Sequence, residues 1–183
     1  RLISHVYLGL GSNLGDKVDN LTRGVTLMSE RLGAVEVSSI YETTPVGFSI
    51  QPRFFNAACR LRTRANPFEV MDAIRKIEAE VGRHRTFVNA PRTLDVDILV
   101  FGSLVIDTPP VAVPHPRLAE RSFALAPLAE FGPSLVHPGL GLSIAELLSR
   151  LPDEPRRIVM TWRAWNQSLI EGGSMLGMVS SIA

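Results

Sequence analysis

The stretch Pro91-Arg92-Thr93-Leu94-Asp95-Val96-Asp97-Ile98-Leu99-Val100 is the most informative segment of this 183-residue chain. Apolar residues alternate with others from position 94 onward, and a period of two residues predicts a β-strand over 94–101. In such a strand Asp95 and Asp97 share one face. The other face is apolar and carries Leu94, Val96, Ile98 and Val100.

The chain before this strand predicts a strand, a helix, two strands and a second helix. Apolar residues at helical spacing mark the helices, and short runs rich in β-branched residues mark the strands. Asn66 followed by Pro67 is a typical helix start. The predicted elements are a strand at 5–9, a helix at 18–32 ended by Gly33, strands at 34–42 and 54–63, and a helix from Asn66 to Gly82.

With the strand at 94–101, the order is β-α-β-β-α-β, which is that of a ferredoxin-like α+β sandwich with helices on one face of a mainly antiparallel sheet. We expect 94–101 to form a hairpin with a strand at 104–107, and helices at 123–131 and from Ser143 onward. The predicted fold is therefore a ferredoxin-like βαββαβ sandwich with an additional C-terminal hairpin and helices. It forms one domain over residues 1–160, followed by a tail over 161–183 without clear periodicity or assigned function.

Composition excludes several functional classes. The 19 Lys and Arg residues nearly balance the 18 Asp and Glu residues, so the chain lacks the positive field that drives non-specific binding to nucleic acid or membrane surfaces. It has no run of about 20 apolar residues that would cross a bilayer. The single cysteine, Cys59, cannot form an internal disulfide, which favours the reducing cytoplasm. We expect a cytoplasmic monomer that acts on small molecules.

Asp95 and Asp97 suggest a metal site. Two residues apart on a strand, their side chains are about 6–7 Å apart, and neighbouring carboxylates favour a bound cation. Mg²⁺ is typically held by one or two carboxylates together with water and substrate phosphates. The alternative is an exposed strand whose charges prevent edge-to-edge aggregation.

Three arginines precede this acidic pair. Arg83, Arg85 and Arg92 lie within ten residues that contain no acid, and such a cluster is suited to an anion. A polyphosphate that carries Mg²⁺ satisfies both groups, which indicates metal-assisted phosphoryl chemistry. Alternatively, the arginines simply pair with the two aspartates.

Other candidate residues are individually weaker. Phe54 and Asn56 share a strand face, where a flat heterocycle can stack on the ring and bond to the amide, although core packing is the simpler alternative. His115 lies in a proline-rich turn, where it can bind phosphate together with Arg121. The alternative is that His115 has a purely structural role or is simply solvated. The glycines between positions 9 and 15 match no complete nucleotide-loop pattern, and a turn from strand to helix explains them better.

Five segments together resemble 6-hydroxymethyl-7,8-dihydropterin pyrophosphokinase of folate biosynthesis, in order and spacing from about residue 6 to residue 151. They are Gly-Leu-Gly-Ser-Asn-Leu-Gly-Asp at 9–16, Tyr-Glu-Thr-Thr-Pro-Val-Gly at 41–47, Phe-Asn-Ala at 55–57, Pro-Arg-Thr-Leu-Asp-Val-Asp at 91–97 and Val-Pro-His-Pro-Arg at 113–117. The resemblance implies a modified ferredoxin-like fold. It also implies transfer of the terminal pyrophosphoryl group of ATP to the pterin hydroxymethyl oxygen, with release of AMP.

The resemblance further implies roles for individual residues. Asp95 and Asp97 would hold two Mg²⁺ ions, and Arg83 and Arg92 would be the catalytic cations. The implied pterin-binding residues are the ring pair Phe54 and Phe123, the amide of Asn56, and backbone groups of Thr43, Pro45 and Val46. The implied ATP contacts are Glu78, Arg85, Arg92, the backbone of Ile98, His115 and Arg121.

Two other interpretations stay open. Phe54 and Phe55 on a strand could stack bases in a nucleic-acid-binding module, although the basic, glycine-containing aromatic signature of such modules is missing. The chain could also be a catalytically silent family member. Its Val88-Asn89-Ala90 replaces the Arg-Trp that relatives often carry there.

Overall fold

The computed structural model describes residues 1–43, 52–82 and 93–172, which form eight strands, five α-helices and a short 3-10 turn. The strands are β1 (Ser4–Ser12), β2 (Gly33–Val37), β3 (Ile40–Thr43), β4 (Phe54–Thr63), β5 (Asp95–Phe101), β6 (Ile106–Thr108), β7 (Val111–Val113) and β8 (Arg156–Met160). The helices are α1 (Lys17–Arg31), α2 (Pro67–Glu80), α3 (Ser122–Ala129), α4 (Ile144–Ser149) and α5 (Trp162–Glu171), and the 3-10 turn is Leu118–Glu120. None of these helices has the length and apolarity needed to cross a bilayer.

Six of the strands in the described part of the chain form one sheet, in which every pairing is antiparallel. The order is β5-β1-β4-β3-β8, and β2 pairs with the other end of β4 beside β3. The strand predicted at 34–42 is thus two strands. They are separated at Ser38 and Ser39, where the Ser38 hydroxyl accepts the Ala58 N–H at 2.8 Å. The predicted α+β class is confirmed.

Helices begin where the sequence provides a capping side chain. Asn66 and Glu69 form a reciprocal capping box at the start of α2, with Pro67 as the first helical residue, and Ser143 accepts the Glu146 N–H at 3.1 Å at the start of α4. These bonds satisfy amide groups that the first helical turn leaves without partners. The predicted starts at Asn66 and Ser143 are confirmed.

Helices cover both faces of the sheet. Helices α1, α2 and α5 pack on one face, with Leu8, Leu61 and Ile74 in the first core. Helices α3 and α4 pack on the other, with Tyr7, Leu99 and other residues in the second core. The prediction of helices on one face only was therefore wrong. The apolar residues of α3 and α4 also need a sheet face to pack against, and the second face provides it.

Strand β5 contains a bulge that changes its alternation. Tyr7 pairs with Val100 and Leu8 pairs with Ile98, so Leu99 is an extra residue on this strand. Val100 consequently belongs to the second core rather than to the face of Val96 and Ile98, where the alternation predicted it. A bulge inserts one residue and shifts the faces of those that follow.

The additional hairpin is built from strands other than those predicted. Strand β6 pairs with β7 in a separate two-stranded sheet, with Ile106 opposite Val113. It does not pair with β5, as the predicted hairpin of 94–101 with 104–107 required. Gly102 has a φ of +54°, and the chain leaves β5 there, with the Gly102 N–H bonded to the His5 carbonyl at 2.8 Å.

The last described helix lies in the segment expected to be a tail. Trp165 and Leu169 of α5 are buried in the first core, and the Trp165 indole N–H donates to the Thr22 hydroxyl of α1 at 3.0 Å. The packed structure therefore extends to Glu171 rather than ending at residue 160. Residues 173–183 lie outside the described residues.

Candidate active site

The two aspartates of β5 lie beside two glycines of β1. Gly11 pairs with Asp95 on one side and with Asn56 of β4 on the other, and Gly9 pairs with Asp97. Directly paired residues in antiparallel strands point to the same face of a sheet. The carboxylates therefore share one face, as the alternation predicted, and glycine separates them from the amide of Asn56.

A cavity of about 320 Å³ opens over this part of the sheet. Strands β1, β3, β4 and β5, the turn before α3, and α3 itself contribute its walls. The predicted site residues that line the cavity are Thr43, Phe54, Asn56, Asp95, Asp97, His115, Arg121 and Phe123. Acid, base, amide and ring groups that are far apart in sequence thus meet in one place.

Seven predicted site residues either do not line this cavity or lie outside the described part of the chain. Ile98 contributes its side chain to the first core. Glu78 is only 6% exposed, and its carboxylate accepts the Val96 N–H at 3.0 Å. Five of the seven lie outside the described part of the chain: Pro45, Val46, Arg83, Arg85 and Arg92.

Arg121 connects the acidic and aromatic parts of the cavity. Its Nη1 lies 3.6 Å from Asp97 Oδ2, and its guanidinium carbon lies 5.7 Å from the centre of the Phe123 ring. The side chains of Arg121 and Asp97 are 23% and 39% exposed, so solvent weakens their attraction. The guanidinium can therefore leave the carboxylate for a phosphate at little energetic cost.

His115 is held in one orientation and is neutral at physiological pH. Its backbone N–H donates to the Leu99 carbonyl at the β5 bulge at 2.8 Å, and its ring Nδ1 accepts the backbone N–H of Arg117 at 3.1 Å. Burial, and then the positive charges of Arg121 and Arg117, lower the pKa of His115 to about 4. Since Nδ1 is an acceptor, the proton of the neutral ring is on Nε2, which is left as a donor.

Asn56 and Thr43 form the polar part of the aromatic end. The Asn56 Nδ2 group donates to the Thr43 hydroxyl, and both residues are 7% exposed. The bond occupies the donor end of the amide, and Oδ1 lies on the side of Gly11. The Thr43 side chain thus fixes which way the Asn56 amide faces, a role additional to that expected of the Thr43 backbone.

Sequence reasoning missed the structural role of Gly9 and Gly11. Both lie inside β1 rather than in a phosphate loop or a turn. A Cβ atom at position 11 would lie 3.1 Å from Asn56 Oδ1 and 3.6 Å from the Phe54 ring. These glycines leave space at the cavity floor. Their spacing of two residues was a signal that they share a strand face.

The faces of β4 count against base stacking by adjacent phenylalanines. Phe54 lines the cavity, whereas Phe55 packs against the first core on the other face, with the Lys17 Nζ 4.7 Å from its ring centre. Two rings on opposite faces cannot stack successive bases along one surface.

Comparison with known proteins agrees with this arrangement. Residues 7–133 match the family model of 7,8-dihydro-6-hydroxymethylpterin-pyrophosphokinase (HPPK). The chain belongs to the HPPK family. It is 47% identical over 126 residues to the 2-amino-4-hydroxy-6-hydroxymethyldihydropteridine pyrophosphokinase of Bacillus subtilis, which covers 68% of this chain and 75% of that protein. With the protein of the same name from Pseudomonas aeruginosa it shares 40% identity over 156 residues, or 84% of this chain and 95% of that one.

Other HPPK relatives are much longer. The folic acid synthesis protein fol1 of Schizosaccharomyces pombe is 34% identical over 176 residues, which is 95% of this chain and 24% of that protein. The chain thus spans about a quarter of the length of such relatives. The fold also resembles the Plasmodium falciparum HPPK-DHPS crystal structure with pterin and p-hydroxybenzoate. The TM-score is 0.65 at 17% identity, over 82% of this chain and 42% of that one.

Proposed function

We propose that this chain transfers the pyrophosphoryl group of ATP to the hydroxymethyl oxygen of 6-hydroxymethyl-7,8-dihydropterin, with release of AMP, in folate biosynthesis. The observation that carries the proposal is the cavity that joins two carboxylates to Phe54, Asn56 and Phe123. Membership of the HPPK family supports the same reaction.

The acidic end of the cavity fits Mg²⁺. No group of three or more His, Cys, Asp or Glu side chains in residues 1–43, 52–82 and 93–172 is placed to hold a metal ion. Two carboxylates on one face of a strand suit a cation that completes its shell with water and phosphate oxygens. We therefore assign Asp95 and Asp97 as ligands of two Mg²⁺ ions. Bound Mg²⁺ would neutralise phosphate charge and make the attacking hydroxyl more acidic.

Arg121 and His115 would bind the ATP phosphates. Arg121 already lies against Asp97, so phosphate oxygens brought to the acidic pair would meet its guanidinium as well. His115 would donate from Nε2 without adding a charge. Among residues outside the described part of the chain, Arg83 and Arg92 are proposed as the catalytic cations, and Arg85 and Arg92 as ATP contacts, on the resemblance alone.

The backbone of Ile98 is proposed to contact the adenine. In a strand, the N–H and C=O groups of alternate residues point to the same edge. The Val96 N–H points away from β1, towards Glu78, so Ile98, two residues later, presents its backbone to that outer edge. Edge groups of this kind can bond to a planar base.

The aromatic end of the cavity would bind the pterin. Phe54 and Phe123 provide ring faces for stacking, and the Asn56 amide would bond to the pterin edge, held in place by Thr43. Backbone groups of Thr43, Pro45 and Val46 would complete this pocket. Enclosure by these groups would exclude water, which competes with pterin as the acceptor.

A more specific fold assignment accompanies this function. We propose that the sheet is a modified ferredoxin-like fold, which the antiparallel order β5-β1-β4 with β2 and β3 beside β4 supports. The β6–β7 hairpin, strand β8 and helices α3 to α5 are then additions to the βαββαβ unit.

The decisive test is the identity of the nucleotide product. The purified chain would be incubated with Mg²⁺, ATP and 6-hydroxymethyl-7,8-dihydropterin and followed by phosphorus NMR. AMP should appear in step with consumption of the pterin. ADP as the coproduct would reject pyrophosphoryl transfer, and Mg²⁺-ATP binding without turnover would identify a silent family member.

A further inference from the structure

Glu78 is a buried carboxylate bonded to the backbone of the acidic strand. It lies on α2 and is 6% exposed, and its Oε2 accepts the Val96 N–H at 3.0 Å. Val96 stands between Asp95 and Asp97 in the sequence. A carboxylate accepting an N–H forms a stronger bond than a neutral oxygen does, and its burial is unfavourable without such partners.

The bond lies on the outer edge of the sheet. Within the described residues β5 is an edge strand that pairs only with β1, and an edge strand has backbone groups without a strand partner. At Val96, Glu78 occupies the position that the carbonyl of a neighbouring strand would have. Three residues after Val96, the Leu99 bulge interrupts the regular pairing of β5 with β1.

A second bond joins the segments next to these two elements. The Thr93 hydroxyl donates to the Gly82 carbonyl at 2.7 Å, which ties the chain just before β5 to the residues that follow α2. Asp95 thus lies between two anchored residues, Thr93, which bonds to Gly82 after α2, and Val96, which bonds to Glu78 on α2. On its other side, the pairing of Gly9 and Gly11 with the two aspartates holds the strand to β1.

We propose that Glu78 is a positioning residue that fixes the Val96 backbone and thereby the geometry of the Asp95 and Asp97 carboxylates for a divalent cation. The inference rests on the proposed function for its cation. It gives Glu78 a different role from the ATP contact implied by family resemblance. Partners that orient metal ligands commonly contribute about 10- to 100-fold to metal affinity.

The test compares Glu78→Leu, which removes the acceptor, with Glu78→Gln, which keeps a neutral carbonyl acceptor of the same size. Glu80→Gln is the matched control, because Glu80 is on the same helix but bonds to Arg31 at the surface. Exchange of the Val96 amide would be followed by NMR. Binding of Mn²⁺ in the presence of a non-hydrolysable ATP analogue would be followed by electron paramagnetic resonance, and binding of that analogue would also be measured without metal.

Glu78→Leu should speed exchange of the Val96 amide and weaken Mn²⁺ binding about tenfold, with metal-free analogue binding unchanged. Glu78→Gln should keep an amide exchange rate and a Mn²⁺ affinity close to those of the wild type, but its Val96 amide shift should change because the acceptor is no longer charged. Glu80→Gln should match the wild type in all three measurements. Loss of metal-free analogue binding with normal Mn²⁺ affinity would instead make Glu78 an ATP contact and overturn the proposal.

Two readouts do not depend on whether Glu78→Leu folds. In the wild type, the Val96 amide should exchange slowly and shift downfield, and fast exchange there would overturn the proposal. In Glu78→Gln, an unchanged Val96 amide shift would do the same. Neither readout needs turnover, so failure of this inference is distinguishable from failure of the proposed reaction.

Discussion

Gly11 and Asn56 face each other across β1 and β4, and a Cβ atom at position 11 would lie 3.1 Å from the Asn56 side-chain oxygen. The backbone of Gly11 does not have the positive φ that would require glycine. The requirement at this position is therefore space. The glycine separates the acidic part of the cavity from the part that contains the amide and Phe54.

Gly11→Ala should weaken pterin binding by up to about tenfold, because the added methyl group displaces the Asn56 amide and the pterin then loses about one hydrogen bond, worth about 0.5–1.5 kcal/mol. ATP binding should change little. Titration with 6-hydroxymethylpterin would measure the effect. Gly9→Ala is the control, since its Cβ would meet the Leu99 side chain at 3.3 Å rather than the amide. Equal loss of pterin binding in both variants would contradict this prediction.

Asp97→Ala should reduce Mg²⁺-dependent turnover by at least about 100-fold, because one of the two proposed metal ligands is lost. AMP formation at saturating ATP and pterin, measured against Mg²⁺ concentration, would test it. Asp107→Ala is the control, since Asp107 is exposed on β6 and does not line the cavity. Near-normal Mg²⁺-dependent activity in Asp97→Ala would be incompatible with the proposed site.

Thr43→Val should raise the KM for pterin about threefold to tenfold, the effect of about one lost hydrogen bond, with a smaller change in kcat. The valine keeps the side-chain volume but removes the oxygen that accepts the Asn56 amide. Thr43→Ser restores the hydroxyl and should recover most of the affinity. If serine fails to rescue, packing rather than amide orientation is the role of Thr43.

His115 should make stability fall on acidification. Its pKa in the folded chain is lowered from 6.5 to about 4, so between those values the unfolded chain binds a proton that the folded chain does not. The free energy of unfolding should decrease as pH falls from 6.5 to 4. His115→Gln should make that dependence shallower in urea titrations. Part of the pH dependence should remain in this variant, because burial also lowers the pKa of His137. An NMR titration that places the wild-type His115 pKa near 6.5 would refute the prediction.

Trp165→Ala should lower the free energy of unfolding by about 3–5 kcal/mol, since it removes a fully buried side chain from the first core and leaves a cavity. Urea unfolding would measure the loss. Trp162→Ala is the control on the same helix, where the ring is partly exposed and lies against Arg163. Equal, small losses for both variants would indicate that α5 contributes little to the packed structure.

Local patterns predicted much of the α+β fold. The capping pair Asn66 and Pro67 marked the start of α2, and alternation placed Asp95 and Asp97 on one face. These features depend on neighbours within a few residues, which a sequence shows directly. The Leu99 bulge, the β6–β7 hairpin and the burial of Trp165 depend on partners distant in sequence, and no local pattern revealed them.

By itself, the sequence determined the chemical groups available to the site and the order of the elements that carry them. Only the tertiary structure decided that Gly11 stands between Asp95 and Asn56, that Arg121 reaches Asp97, and that Glu78 bonds to Val96. The reason is physical. Side-chain type and local periodicity are properties of nearby residues, whereas the space left by a missing Cβ atom or the partner of an edge amide exists only after strands and helices have packed.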